Sequence, residues 1–116
     1  MPRDIKESDW KIFRDLHAIA LDRAFERAAS EIQYHVSDKS KPPRDRFWDA
    51  HESATKNRKN LADLFDDSRR SSALVQLAAI YSQKLLTPKE MSRFSPETSE
   101  FVEGYLRIAL DIEKTG

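Results

Sequence analysis

Apolar residues recur every three or four positions along most of the chain and predict helices. The densest run is ALVQLAAIYSQKLL, residues 73–86, where apolar side chains would occupy most sides of a helix. Such a helix packs against several neighbours, so we predict a central helix over about 69–85. Three more main helices are predicted over about 8–36, 44–66 and 96–113, with a short helical turn at 88–93. The expected fold is all-α, an irregular antiparallel bundle of four main helices.

Cap and break signals define the predicted boundaries. Two consecutive prolines end the polar run SDKSKPP, residues 37–43, and predict a loop there. Thr87 and Ser95 are each followed by proline, which is the pattern of a cap hydroxyl before the first helical residue. The polar run DDSRRSS, residues 66–72, predicts a break, because the apolar face of one unbroken helix would change sides there. A continuous helix over 44–85 is the alternative.

Two of the helices carry wide apolar stripes. In the first helix the stripe runs from Trp10 to Val36 and includes Phe25. In the last helix the predicted core positions are Phe101, Val102, Tyr105, Ile108, Ala109 and Ile112. Gly104 lies among them, so either it faces solvent or another helix approaches closely at that point.

Composition narrows the class of protein. The length of 116 residues suits one domain over 1–116, with residues 1–7 as a loose arm. Twenty basic and twenty acidic side chains cancel, so no overall charge attracts the chain to nucleic acid or to a membrane. There is no cysteine, no signal-like start and no uncharged run long enough to span a bilayer. We therefore expect a cytoplasmic protein without membrane contact.

Residues that could carry chemistry are present but form no recognisable motif. Glu31 and His35 lie one helical turn apart, as two metal ligands would, yet neither HExxH nor a pair of ExxH motifs occurs. His17 lies beside the apolar stripe of the first helix, where a histidine usually completes a core. No GxSxG motif or glycine-rich phosphate loop occurs. We predict no enzymatic activity, no metal site and no cofactor.

Nucleic acid is the less favoured of two partner classes. Residues 37–59 hold seven basic and four acidic side chains, and the basic residues Lys56, Arg58 and Lys59 are grouped. These three residues are the candidate contacts for nucleic acid, in the basic part of helix two.

Protein association is the favoured activity, and Trp48 is its main clue. Helical spacing puts Phe47 and His51 on the apolar side of helix two and Trp48 about 100° away, toward the polar side. We predict that Trp48 is exposed in the isolated chain and anchors an interface, with Arg69 and Arg70 as further candidate contacts. The bound partner would be another protein or a second copy in a homodimer. The alternative is that the proline loop or helix one covers Trp48. The predicted function is a non-enzymatic protein-interaction or regulatory domain.

Overall fold

The computed structural model describes residues 4–115 and, for side chains, residues 4–112. Every regular element in that range is a helix, which confirms the predicted all-α fold. The helices are α1 (Glu7–Ser37), α2 (Pro43–Phe65), α3 (Ala73–Ser82), α4 (Pro88–Met91) and α5 (Pro96–Thr115). Both predicted breaks are present, so the alternative of one helix over 44–85 is wrong.

The central helix α3 is shorter than predicted at both ends. Before it, Asp67 has a left-handed backbone with φ 63°, and its carbonyl oxygen accepts a hydrogen bond of 3.1 Å from Ser72 Oγ. After it, Lys84 has φ 60°. A left-handed residue cannot continue a right-handed helix, so the helical run lies between these two positions. The predicted range of 69–85 is therefore wrong, and Arg69 and Arg70 belong to the turn that precedes α3.

Contacts group the chain into two compact units. One contains the chain up to Ala20 and the chain from Asp67 onward, and the other contains Leu21–Asp66. The long helix α1 contributes residues to both.

The first unit has an apolar core built around α3. This helix packs against α5, and six of its ten residues are buried. The largest fully buried apolar side chains of the unit come from α1, α3 and α5: Phe13, Leu16, Leu77, Ile80 and Val102. Each such side chain contributes about 1.5–3 kcal/mol when it leaves water. The predicted burial of the central helix is confirmed, and α5 is one of the elements that cover it.

The segment before α1 also contributes to this core. Ile5 is buried and lines the same pocket as Leu74 and Phe101. The predicted loose arm is therefore wrong at Ile5, and residues 1–3 lie outside the described part of the chain.

A buried carboxylate joins α1 to the start of α5. Asp9 is 2% exposed and accepts hydrogen bonds from Ser95 N at 3.1 Å, Ser95 Oγ at 2.6 Å and Thr98 Oγ1 at 2.7 Å. Burial by itself would raise the pKa of Asp9, but these hydrogen bonds and the charge of Lys6 lower that pKa below its ordinary value. The negative charge also lies at the positive end of the α5 dipole.

The second unit is an antiparallel helical hairpin made of the later part of α1 and of α2. Near the loop, Arg46 Nη1 donates to the carbonyl oxygen of Val36 at 3.2 Å. Farther from the loop, Ser53 Oγ donates to Glu31 Oε2 at 2.9 Å. The contacts therefore pair earlier residues of α1 with later residues of α2, which is the pattern of two antiparallel helices.

Candidate protein-interaction site

Three rings on the outside of α2 form the main candidate surface, which we call the Trp48 cluster: Phe47, Trp48 and His51. The ring centroids of Phe47 and Trp48 are 5.1 Å apart and those of Trp48 and His51 are 5.8 Å apart, both in edge-to-face contact. All three side chains are exposed, and Trp48 is 55% exposed. The rings therefore contact one another and leave most of the tryptophan in water.

The predicted exposure of Trp48 is confirmed, but the predicted inner face of the first half of α2 is wrong. The sequence placed Phe47 and His51 on the inner face, and both are exposed. The buried residues in this half of the helix are instead Ala50 and Ser53. Small side chains face inward here, so both large aromatic residues of the helix start are left outside.

A polar contact between the helices explains this orientation. Glu31 of α1 accepts hydrogen bonds from Ser53 Oγ and from the amide of Asn57, and Asn57 Nδ2 also donates to the carbonyl oxygen of Ser53 at 2.8 Å. The hydrogen bond from Asn57, with the one from Ser53, lowers the pKa of Glu31 and favours its charged form. In the sequence, Glu31 stood out only for lying one helical turn from His35, and this contact with α2 was not predicted. One pattern in the sequence could have indicated this contact: small or polar residues recur at helical spacing in α2, at Ala50, Ser53 and Asn57.

The loop beside the Trp48 cluster is held in place without covering the tryptophan. Lys41 Nζ donates to Asp49 Oδ2 at 2.8 Å, and this contact raises the pKa of Lys41. Pro42 and Pro43 are exposed themselves. A tryptophan sealed under a loop would be mostly buried, so the exposure of Trp48 argues against the covering alternative.

Arg69 and Arg70, the other candidate contacts, lie in the first unit, whereas the Trp48 cluster lies in the second. Arg69 Nη2 is 2.8 Å from Asp67 Oδ2. Arg70 Nη2 is 3.0 Å from Glu7 Oε1, and its guanidinium lies 5.9 Å from the ring centre of Trp10. Both arginines thus have partners within their own unit, and a role for them in an interface stays a prediction.

The candidate nucleic-acid residues Lys56, Arg58 and Lys59 are all exposed. Acidic residues lie one turn from two of them, with Glu52 before Lys56 and Asp63 after Lys59. The whole of α2 carries five basic and four acidic side chains. This near balance provides little of the positive potential that phosphate binding requires.

One serine–histidine contact occurs in the first unit. Ser68 Oγ is 2.9 Å from His17 Nε2, in a pocket of about 240 Å³ whose wall includes Trp10 and Phe13. Ligand pockets usually measure about 300–1,000 Å³, so this one is small for an organic substrate. In the described part of the chain, no three His, Asp or Glu residues are arranged to hold a metal ion.

Comparison with models of protein families, with curated proteins and with solved structures found no match. None of the described helices is both long enough and apolar enough to cross a membrane.

Proposed function

We propose that this chain is a non-enzymatic, cytoplasmic protein-interaction or regulatory domain that binds a protein partner through the Trp48 cluster. The observation that carries the proposal is the exposure of Trp48 in contact with two further exposed rings, on the half of α2 that buries only the small residues Ala50 and Ser53.

The chemistry of the cluster suits a protein partner. Tryptophan offers a large rigid apolar area at low cost in conformational entropy, and it is the residue type most enriched among interface hot spots. Phe47 enlarges this apolar area, and the Lys41–Asp49 ion pair provides a polar border. An apolar pocket or groove on another protein, bordered by polar groups, is the complementary surface.

A capture experiment with a matched control tests the proposal. Trp48→Ala removes the anchor, and Phe25→Ala removes an aromatic side chain of nearly equal exposure, 56%, from α1 of the same unit. Both positions are exposed, so both variants should unfold within about 0.5 kcal/mol of the wild type. The three proteins are used as bait in lysate of the native host, and captured proteins are identified by mass spectrometry.

We expect the wild type and Phe25→Ala to capture the same protein and Trp48→Ala to lose it. A hot-spot truncation of about 2 kcal/mol corresponds to roughly 30-fold weaker binding. Equal capture by all three baits contradicts the proposal. A markedly lower melting temperature of Trp48→Ala together with unchanged capture would show instead that the tryptophan covers the fold.

The competing function is nucleic-acid binding through Lys56, Arg58 and Lys59. Phosphate contacts weaken steeply as salt rises, whereas an apolar protein interface does not. Capture that disappears on nuclease treatment, or between about 50 and 200 mM salt, would favour this alternative.

A further inference from the structure

Helix α5 has two apolar faces, one of which is covered while the other is largely exposed. The inner face packs against α3 and buries Thr98 and Val102. The second face carries Phe101, Tyr105, Ile108 and Ile112, which we call the α5 stripe. The sequence predicted these residues as core, and that prediction is wrong for Tyr105, Ile108 and Ile112, which are exposed, Ile108 by 63%, whereas Phe101 is half-buried.

The spacing of the α5 stripe is that of a coiled-coil seam. Its members are separated by four, three and four residues, which is the a/d pattern of a heptad repeat. The rings of Phe101 and Tyr105 stack with centroids 6.4 Å apart, so the stripe is a continuous surface at this end. A seam of this kind is complementary to another helix with the same spacing.

We propose that the α5 stripe binds the α5 stripe of a second copy of this chain, forming an antiparallel two-helix seam in a homodimer. In that arrangement Phe101 lies opposite Ile112 of the other copy, and Tyr105 lies opposite Ile108. Each of these contacts occurs twice, because a two-fold axis exchanges the two copies. The stripe is thus self-complementary: each aromatic residue meets an isoleucine.

Charge along α5 favours the antiparallel direction. Its first half carries Glu97, Glu100 and Glu103 with no basic residue, and its described second half carries Arg107 and Asp111. A parallel pair would bring the two acidic halves together. An antiparallel pair brings each acidic half beside a neutral half, which removes most of this repulsion.

Gly104 supports a close approach at the middle of the stripe. Within the described part of the chain, a Cβ atom at this position would meet no atom within 4 Å beyond the adjoining backbone of α5, so no packing seen there explains the glycine. Glycine lowers helix propensity, but the missing side chain lets a second backbone come near. In the proposed register Gly104 lies beside the contact between Tyr105 and Ile108 of the other copy.

Sedimentation equilibrium of the full chain tests the proposal. Ile108→Glu puts a charge in the seam, and Leu110→Glu is the matched control. Leu110 is 56% exposed and lies about 200° around the helix from Ile108. We expect a concentration-dependent dimer for the wild type and Leu110→Glu, and a dissociation constant at least about 30-fold higher for Ile108→Glu. Circular dichroism should show the same helix content in all three.

Cross-linking tests the direction of the pair, since the natural chain has no cysteine. We expect a mixture of Phe101→Cys and Ile112→Cys chains to form a disulfide-linked dimer on oxidation. Either variant alone should not, because equivalent positions would lie roughly 16 Å apart along the axis, beyond disulfide reach. Cross-linking of each variant alone but not of the mixture overturns the antiparallel arrangement.

The homodimer does not depend on the Trp48 cluster, so Trp48→Ala should dimerise like the wild type. A wild type that stays monomeric at all concentrations, or equal weakening by Ile108→Glu and Leu110→Glu, overturns the homodimer and leaves the proposed function untouched.

Discussion

Removing the carboxylate of Asp9 should destabilise the first unit strongly. Three donors converge on this side chain, namely Ser95 N, Ser95 Oγ and Thr98 Oγ1, and the carboxylate is almost completely buried. Asp9→Ala leaves all three donors without their acceptor, at a cost of about 1 kcal/mol or more each. The expected loss is therefore about 3 kcal/mol, a large part of the roughly 5–15 kcal/mol that stabilises most domains.

Urea unfolding followed by circular dichroism measures this loss directly. The control is Asp15→Ala, which removes an exposed carboxylate from the same helix, 4.0 Å from Arg93. Such a surface pair contributes about 1 kcal/mol or less, so the control should unfold close to the wild type. In thermal melts, Asp9→Ala should unfold roughly 10 °C or more below the wild type. Equal stability of Asp9→Ala and Asp15→Ala would refute the role of the buried carboxylate.

Three further predictions concern stability. Because the pKa of Asp9 is lowered, its charge stabilises the fold fully above about pH 4, and this contribution is lost as pH falls through the folded-state pKa. The difference in unfolding free energy between the wild type and Asp9→Asn should therefore become smaller in acid, and a larger difference there would contradict a lowered pKa. Leu77→Asp places a carboxylate at a fully buried position and should lower the free energy of unfolding in urea by more than about 4 kcal/mol, whereas the exposed Leu110→Asp should lower it by less than about 0.5 kcal/mol. Similar losses for the two variants would show that Leu77 is not a core residue. In the Ile108→Glu background, which removes any effect of dimerisation, Gly104→Ala should stabilise the fold by about 0.5–1 kcal/mol and so raise the melting temperature. A lower melting temperature would mean that the space around Gly104 is not open.

Helix ends determined by neighbouring residues could be predicted from the sequence. At Thr87 the hydroxyl accepts from the backbone N–H of Glu90 at 3.1 Å, and the Glu90 carboxylate accepts from the N–H of Thr87 at 2.8 Å. Both partners of this capping box lie within four residues, so the pattern TPKE is sufficient to recognise it.

Contacts between distant residues could not be predicted in the same way. Asp9 and Ser95 are 86 positions apart, so no local pattern in the sequence connects them. The orientation of the first half of α2 depends on Glu31 and on small side chains. Neither forms a stripe of large apolar residues, so the hydrophobic pattern of the sequence does not indicate this orientation. The exposure of Trp48 was predicted correctly, but the reason for the prediction was wrong. It was based on Trp48 lying toward the polar side of α2 and Phe47 on the apolar side, and Phe47 is exposed as well.

The most direct test of the central claim is photo-cross-linking in the native host. The photoreactive residue p-benzoylphenylalanine replaces His51, which lies beside Trp48 in the cluster, or replaces Phe25 as the control. Binding of a protein at the Trp48 cluster predicts a discrete cross-linked product from position 51 and none from position 25. That product should disappear when Trp48→Ala is added. The absence of any product at position 51, or equal products from both positions, would contradict the claim that this surface binds a protein.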